Sequence, residues 1–293
     1  MPKARANNIE IEYETFGDPS SRPLLLVMGM EAQMIYWPEE MLKTLANKGF
    51  YVIIFDNRDV GLSTKFKEFD SINATELFTK LMMGEKVDVP YTLDDMADDA
   101  VGLLDHLNIE KAHICGVSMG GMIVQIIAIR HPTRVLTLTS MMSSTGELKY
   151  SPTPEFQQKA YVPIPTEREA NIEAHVYQER LRWGTLPFDE ERAREYYTKS
   201  YDRSFNPKNA ERHMLAVVAA GLSLKSRLKS IKVPTLVIHG KEDLLVPKEG
   251  GIDAAAGIPG AELLLIDGMG HSLPPEVIPQ IIDAIIANAN KVT

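Results

Sequence analysis

Leu24-Leu25-Leu26-Val27-Met28 and Tyr51-Val52-Ile53-Ile54-Phe55 are unbroken apolar runs, short for helices and without the alternation of a half-exposed strand. Such a run reads as a strand covered on both faces, which is how strands sit in a parallel sheet. Between the two, Pro38 to Lys48 has the apolar spacing of a helix, and Gly49 closes it. Strand, helix, strand at this spacing predicts an α/β fold with a parallel sheet. The rest of the chain continues in kind. Ile9 to Phe16 alternates as a half-exposed strand, and His113 to Val117, Val135 to Met141, Thr235 to Ile238 and Glu262 to Ile266 supply further strands. Thr92, with Asp95 as capping partner, opens a helix whose apolar face carries Leu93, Met96, Ala97, Ala100, Leu103, Leu104 and Leu107. Helices are also expected over Leu215 to Leu224 and Pro275 to Ala289.

Two segments break this rhythm. Phe66 to Tyr91 is poorly periodic and reads as a lip with one short helix around Leu77 and Leu81. From Met142 to about His213 the chain carries prolines at 152, 154, 163, 165 and 187, mixed charges and weak helical patterns rich in Tyr and Arg. It reads as a helical cap inserted into one sheet, because strands on both sides are needed to complete that sheet. The expected division is 1–141 and 214–293 for the core and 142–213 for the cap.

Composition removes several classes of function. An apolar share of 44% and a charged share of 24% are ordinary for a globular chain. The net charge of −9 argues against nucleic acid or an anionic membrane as partner, since neutralising phosphates needs clustered Lys and Arg. One cysteine, Cys115, rules out an internal disulfide and a Cys-rich metal site. Met1-Pro2-Lys3-Ala4-Arg5 leads into Asn and Glu rather than an apolar stretch, so no signal peptide is expected. The longest apolar runs fall short of the ~20 residues of a spanning helix, so a cytoplasmic protein is expected.

The chemistry is in the loops. Cys115-Gly116-Val117-Ser118-Met119-Gly120-Gly121-Met122 takes a strand sharply into an apolar helix, with Ser118 at the corner and small residues where strand and helix crowd. A serine hydroxyl is a weak nucleophile at neutral pH and needs a histidine base and an acid to orient it. Two later loops offer both, and each leaves the carboxyl end of a strand, where open α/β sheets place their sites. One is His239-Gly240-Lys241-Glu242-Asp243-Leu244-Leu245-Val246-Pro247, the other Asp267-Gly268-Met269-Gly270-His271-Ser272. On residue type alone, Glu242, Asp243 and Asp267 compete as the acid, and His239 competes with His271 as the base. His106, His113, His131, His175 and His213 read as structural or surface residues. Met82, Met83, Met141, Met142 and Trp183 are either lining for an apolar acyl pocket or ordinary core.

The chain resembles the cap-bearing α/β hydrolase superfamily, and its loops are especially similar to those of aclacinomycin methylesterase-like esterases. The residues that carry the likeness are Val27-Met28-Gly29-Met30 with Trp37-Pro38, Asp56-x-Arg58-Asp59-x-Gly61-x-Ser63-Thr64, Gly116-x-Ser118-Met119-Gly120 and Gly268-Met269-Gly270-His271-x-Leu273-Pro274. The resemblance implies the α/β hydrolase fold, a mostly parallel central sheet flanked by helices with an inserted helical cap. It implies Ser118 as nucleophile, His271 as general base and Asp243 as the acid that holds it, with backbone N–H groups of Met30 and Met119 as the oxyanion hole. Many members have His-Gly where this chain has Met28-Gly29, and Gly where it has Asp59, which leaves open what braces the Met28-Gly29-Met30 loop. The expected activity is hydrolysis of carboxylic esters through an acyl-serine, with no metal or cofactor, on a small-molecule ester, by a monomer or homodimer. Alternatives on the same scaffold are a carbon-carbon bond hydrolase, a thioesterase, a perhydrolase or a non-catalytic ligand receptor.

Overall fold

A computed structural model describes residues 2–160 and 164–292, so Met1 and Pro163 lie outside the described residues. Eight strands form one sheet: β1 (Lys3–Ala6), β2 (Ile9–Phe16), β3 (Arg22–Val27), β4 (Phe50–Phe55), β5 (Ala112–Val117), β6 (Val135–Met141), β7 (Thr235–Gly240) and β8 (Glu262–Ile266). Their order is β1-β2-β4-β3-β5-β6-β7-β8. The β1–β2 and β2–β4 pairings at one edge are antiparallel, and the other five pairings are parallel.

The apolar runs are continuous because both faces of the sheet are covered. Leu25 and Val27 enter one core with α3 (Leu93–His106) and α4 (Met119–Arg130), while Leu24, Leu26 and Met28 enter the other with α1 (Glu39–Asn47) and α11 (Ile278–Ala289). Each fully buried Leu or Ile contributes about 1.5–3 kcal/mol relative to exposure. The capping box before α3 forms as expected, Asp95 N–H to Thr92 Oγ1 and Thr92 N–H to Asp95 Oδ2. Met119 to Ala128 of α4 are all buried, as their apolar sequence implies.

The lip contains α2 (Ala74–Met82), whose Leu81 packs on Leu215 and Val218 of α8 (Asn209–Gly221). Between β6 and α8 stand α5 (Pro154–Ala160), α6 (Arg168–Arg182) and α7 (Glu190–Arg203). α6 and α7 share a small core of Ile172, Val176 and Ala193. Helix α8 begins six residues before Leu215 and runs unbroken through positions 213 and 214. Past it lie a short helix, α9 (Leu224–Arg227), and α10 (Lys248–Gly257). Three elements, β1, α9 and α10, escape sequence reading. β1 is only four residues long, and α10 reads Lys-Glu-Gly-Gly-Ile-Asp-Ala-Ala-Ala-Gly, whose small residues give no apolar period. Among the described residues no helix is long and apolar enough to cross a membrane.

Candidate active site

Four loops at the carboxyl ends of β3, β5, β7 and β8 converge on one point. Ser118 follows β5 directly and has φ +56° and ψ −121°, a conformation strained for any residue with a side chain. The residues two positions to either side must be glycines, because a Cβ on Gly116 would lie 2.1 Å from Gly120 O and one on Gly120 would lie 2.2 Å from Val27 O. The strained corner lifts the Ser118 hydroxyl out of the helix, where it makes no cap bond.

His271, after β8, places Nε2 2.9 Å from Ser118 Oγ. Its Nδ1 lies 2.7 Å from Asp243 Oδ2, on the loop after β7. The other oxygen, Asp243 Oδ1, accepts the N–H groups of Leu245 (3.0 Å) and Val246 (2.8 Å). Burial pushes the Asp243 carboxyl up, but His271 and His239 outweigh it and hold it at about 2. The rivals stand elsewhere. Asp267 is 83% exposed and pairs with Lys241 at the surface. Glu242 has a buried Oε2 with no partner. His239 is buried, with Nε2–H donating to Val246 O (2.8 Å) and lying 3.3 Å from Asp243 Oδ2, so it braces the loop that carries Asp243.

Met119 is the first residue of α4, so its N–H has no acceptor within that helix. Gly29 sits against the corner: a Cβ there would come 3.1 Å from Ser118 Cβ. Met30 is the next residue. The brace of this first loop is a buried polar network on the loop after β4. Asn57 donates to Met28 O (2.9 Å), and Asp56 accepts the Met34 N–H (2.8 Å) while pairing with Arg203 of α7 (2.7 Å). His213 of α8 accepts the Glu31 N–H at Nδ1 (3.3 Å) and donates from Nε2 to Arg58 O (3.0 Å). Arg58 is bidentate on Asp99, at 2.7 Å twice.

Asp59 has φ +67°, which explains why glycine suits this position elsewhere in the superfamily. Here its carboxylate takes both a bidentate Arg212 and the Tyr91 hydroxyl (2.6 Å). Burial works to raise its pKa, and Arg212, the Phe66 N–H and Tyr91 together bring it below the usual carboxylate value. Sequence reading had Arg58 only as part of the Asp56-x-Arg58-Asp59 motif and His213 only as a structural or surface residue, and it missed Asp99 and Arg212. The one available signal was the charged Asp59 in place of Gly, which demands a buried cation.

Two cavities lie under α6 and α7. One of about 480 Å³ is walled by Tyr36, Trp37, Glu179, Trp183, Tyr197 and Leu273. The other, about 220 Å³, is lined by Glu31, Gln33, His175, Ser200 and Asn206 among others. Neither is lined by Ser118 or His271, although the first reaches Leu273, two residues past His271, and the second reaches Glu31, next to Met30. Of the five residues read as acyl lining or core, Trp183 alone lines either of these two cavities. Met141 and Met142 are core, and Met82 and Met83 are exposed. Among the described residues no group of three or more His, Cys, Asp or Glu is arranged to hold a metal ion. Cys115 is buried in β5, and burial raises its thiol pKa well away from thiolate chemistry.

The chain belongs to the α/β hydrolase fold family, whose model matches residues 22–276. Over its whole length it is similar to two methylesterases, as its loops led us to expect. Rhodomycin D methylesterase DauP of Streptomyces sp. (strain C5) is 29% identical over 98% of this chain and 97% of the relative. Rhodomycin D methylesterase DnrP of Streptomyces peucetius is 29% identical over 100% of both. A meta-cleavage product hydrolase from Pseudomonas fluorescens IP01 superposes with a TM-score of 0.75 at 20% identity, covering 99% of this chain and 98% of that one, which shows the shared fold.

Proposed function

We propose that the protein is a serine-dependent carboxylic-ester hydrolase. The observation that carries this reading is the unbroken chain from Ser118 Oγ through His271 to Asp243, at 2.9 and 2.7 Å. Ser118 attacks the ester carbonyl as His271 Nε2 takes its proton. The N–H groups of Met30 and Met119 receive the oxyanion, and His271 then protonates the departing alcohol. Water, deprotonated by the same imidazole, releases the acid. Asp243 stays ionised, fixes the Nδ1–H tautomer and offsets the imidazolium charge. The segment 142–213 acts as a cap over this site.

The full-length likeness to two methylesterases supports methyl esters as the substrate class. The test is turnover of methyl and p-nitrophenyl esters by wild type and by Ser118→Ala. A fall of about 10⁴-fold or more in kcat is expected, the usual scale for loss of a triad nucleophile. Labelling of Ser118 by a serine-reactive phosphonate is expected alongside it. Equal turnover in the two proteins sinks the proposal.

A further inference from the structure

Glu179 lies on α6, 3% exposed, yet its carboxylate is spoken for by three hydroxyls from three separate segments. Oε1 accepts from Tyr36 (2.5 Å), in the turn after the first loop, and from Ser272 (2.8 Å), the residue after His271. Oε2 accepts from Tyr197 of α7 (2.8 Å). The charge of Arg182 lies nearby, on the same helix. A buried carboxylate is costly, and apolar packing would fasten a helix at least as well. What a carboxylate adds is direction, through short charge-assisted hydrogen bonds.

The end of the same helix holds the other side of His271. The His271 N–H donates to Arg182 O (2.5 Å), Gly270 N–H to Trp183 O (3.0 Å), and Thr185 N–H to Gly268 O (2.9 Å). Gly184 pairs with Met269 as an antiparallel bridge. The two main chains approach so closely that a Cβ on Gly270 would stand 2.1 Å from Arg182 O, and one on Gly184 2.3 Å from Gly268 O. The histidine backbone is therefore gripped on its N–H side by Arg182 O and on its carbonyl side by Ser272 and Glu179. Both grips belong to α6.

We infer that Glu179 is a positioning residue for the reaction: through Ser272 its carboxylate sets where the His271 imidazole stands over Ser118. This rests on the triad reading above. Misplacement of a reacting group by about 1 Å costs on the order of 100-fold in rate. The burden falls on kcat, because Glu179 reaches the reacting atoms only through Ser272 and His271.

The experiment is a double-mutant cycle between Glu179→Ala and Ser272→Ala, read in kcat and KM with a methyl or p-nitrophenyl ester. Each single substitution is expected to lower kcat by about tenfold or more with KM within about threefold, and the double variant to be no worse than Glu179→Ala alone. Glu179→Gln should recover most of the rate, since its amide oxygen still accepts from Tyr36 and Ser272 while the Tyr197 hydroxyl turns to accept from its NH₂. Multiplicative losses in the double variant, or a loss confined to KM, overturn the positioning role. If Glu179→Ala does not fold, Ser272→Ala decides alone, because it leaves the carboxylate both tyrosines: wild-type kcat in that variant overturns the role. Turnover that survives Ser118→Ala overturns the triad reading instead, so the two failures are told apart.

Discussion

Arg212 holds both carboxylate oxygens of Asp59, at 2.7 and 3.1 Å, with the two side chains 1% and 0% exposed. The pair joins the loop after β4 to α8, across 153 positions of sequence. Removing one partner strands the other as a buried charge, which typically costs about 3–5 kcal/mol. Arg212→Leu is expected at that level by urea unfolding. Asp59→Gly should cost less, because Arg212 keeps Asp70 at 2.8 Å and glycine relieves the +67° backbone, which is itself worth about 1–2 kcal/mol. A larger loss in Asp59→Gly contradicts this account.

Asp243, the proposed acid, is separable from its rival Asp267 by exposure. Asp243→Asn leaves the geometry but favours the wrong imidazole tautomer, and a fall of about 10⁴-fold in kcat is expected. Asp267→Asn removes an exposed ion pair with Lys241, which is worth about 0–1 kcal/mol, so activity and melting temperature should both stay close to wild type. Steady-state kinetics of the two variants side by side check it, and the reverse pattern moves the acid to Asp267.

Acid should weaken the fold before it reaches the carboxylates. Burial lowers the imidazole pKa of His113, His175 and His213 from 6.5 to about 4. Between those values the unfolded chain binds protons that the folded chain refuses, so stability is full above about 6.5 and falls as pH drops toward 4. The slope is at most about 1.4 kcal/mol per pH unit for each histidine. Asp243, held at about 2, adds a loss in the same direction only below its ordinary carboxylate range of about 4. Urea unfolding free energies across this window measure the slope, and His213→Gln should flatten it. A stability that stays level from neutral pH down to about 4 rules the account out.

The parallel sheet was legible because its strands are covered on both faces, which writes five-residue apolar runs into the chain at Leu24 and Tyr51. Ser118 stood out at the corner of its strand-to-helix turn, whereas residue type alone left Asp243 level with Glu242 and Asp267, and His271 level with His239, until the family resemblance chose between them; His271 lies within hydrogen-bond reach of both Ser118 and Asp243. What stayed hidden is non-local. Nothing near Asp59 announces Arg212, and nothing near His271 announces Glu179, 93 positions away from Ser272. Helix α10 was hidden for a different reason: Gly250, Gly251 and Ala254 pack by being small, Gly251 against the His239 ring, and smallness has no hydrophobic period.

His213 of α8 bears on the first loop, beside Met30, the proposed oxyanion donor. Its ring must stay neutral to accept the Glu31 N–H at Nδ1 while donating from Nε2 to Arg58 O, and burial keeps it so. Glu31 stands at φ +63°, a conformation that needs holding, and Met30 is the residue before it. His213→Ala frees both backbone groups and lets the Met30 N–H drift from the oxyanion. The loss is expected in kcat, about tenfold, below the ~3 kcal/mol that full removal of one oxyanion donor costs. His213→Gln should recover part of it, since one amide supplies an acceptor for Glu31 and a donor for Arg58. Kinetics with a methyl ester separate this from a binding role: a raised KM with intact kcat makes His213 a wall of the substrate pocket rather than the brace of the loop.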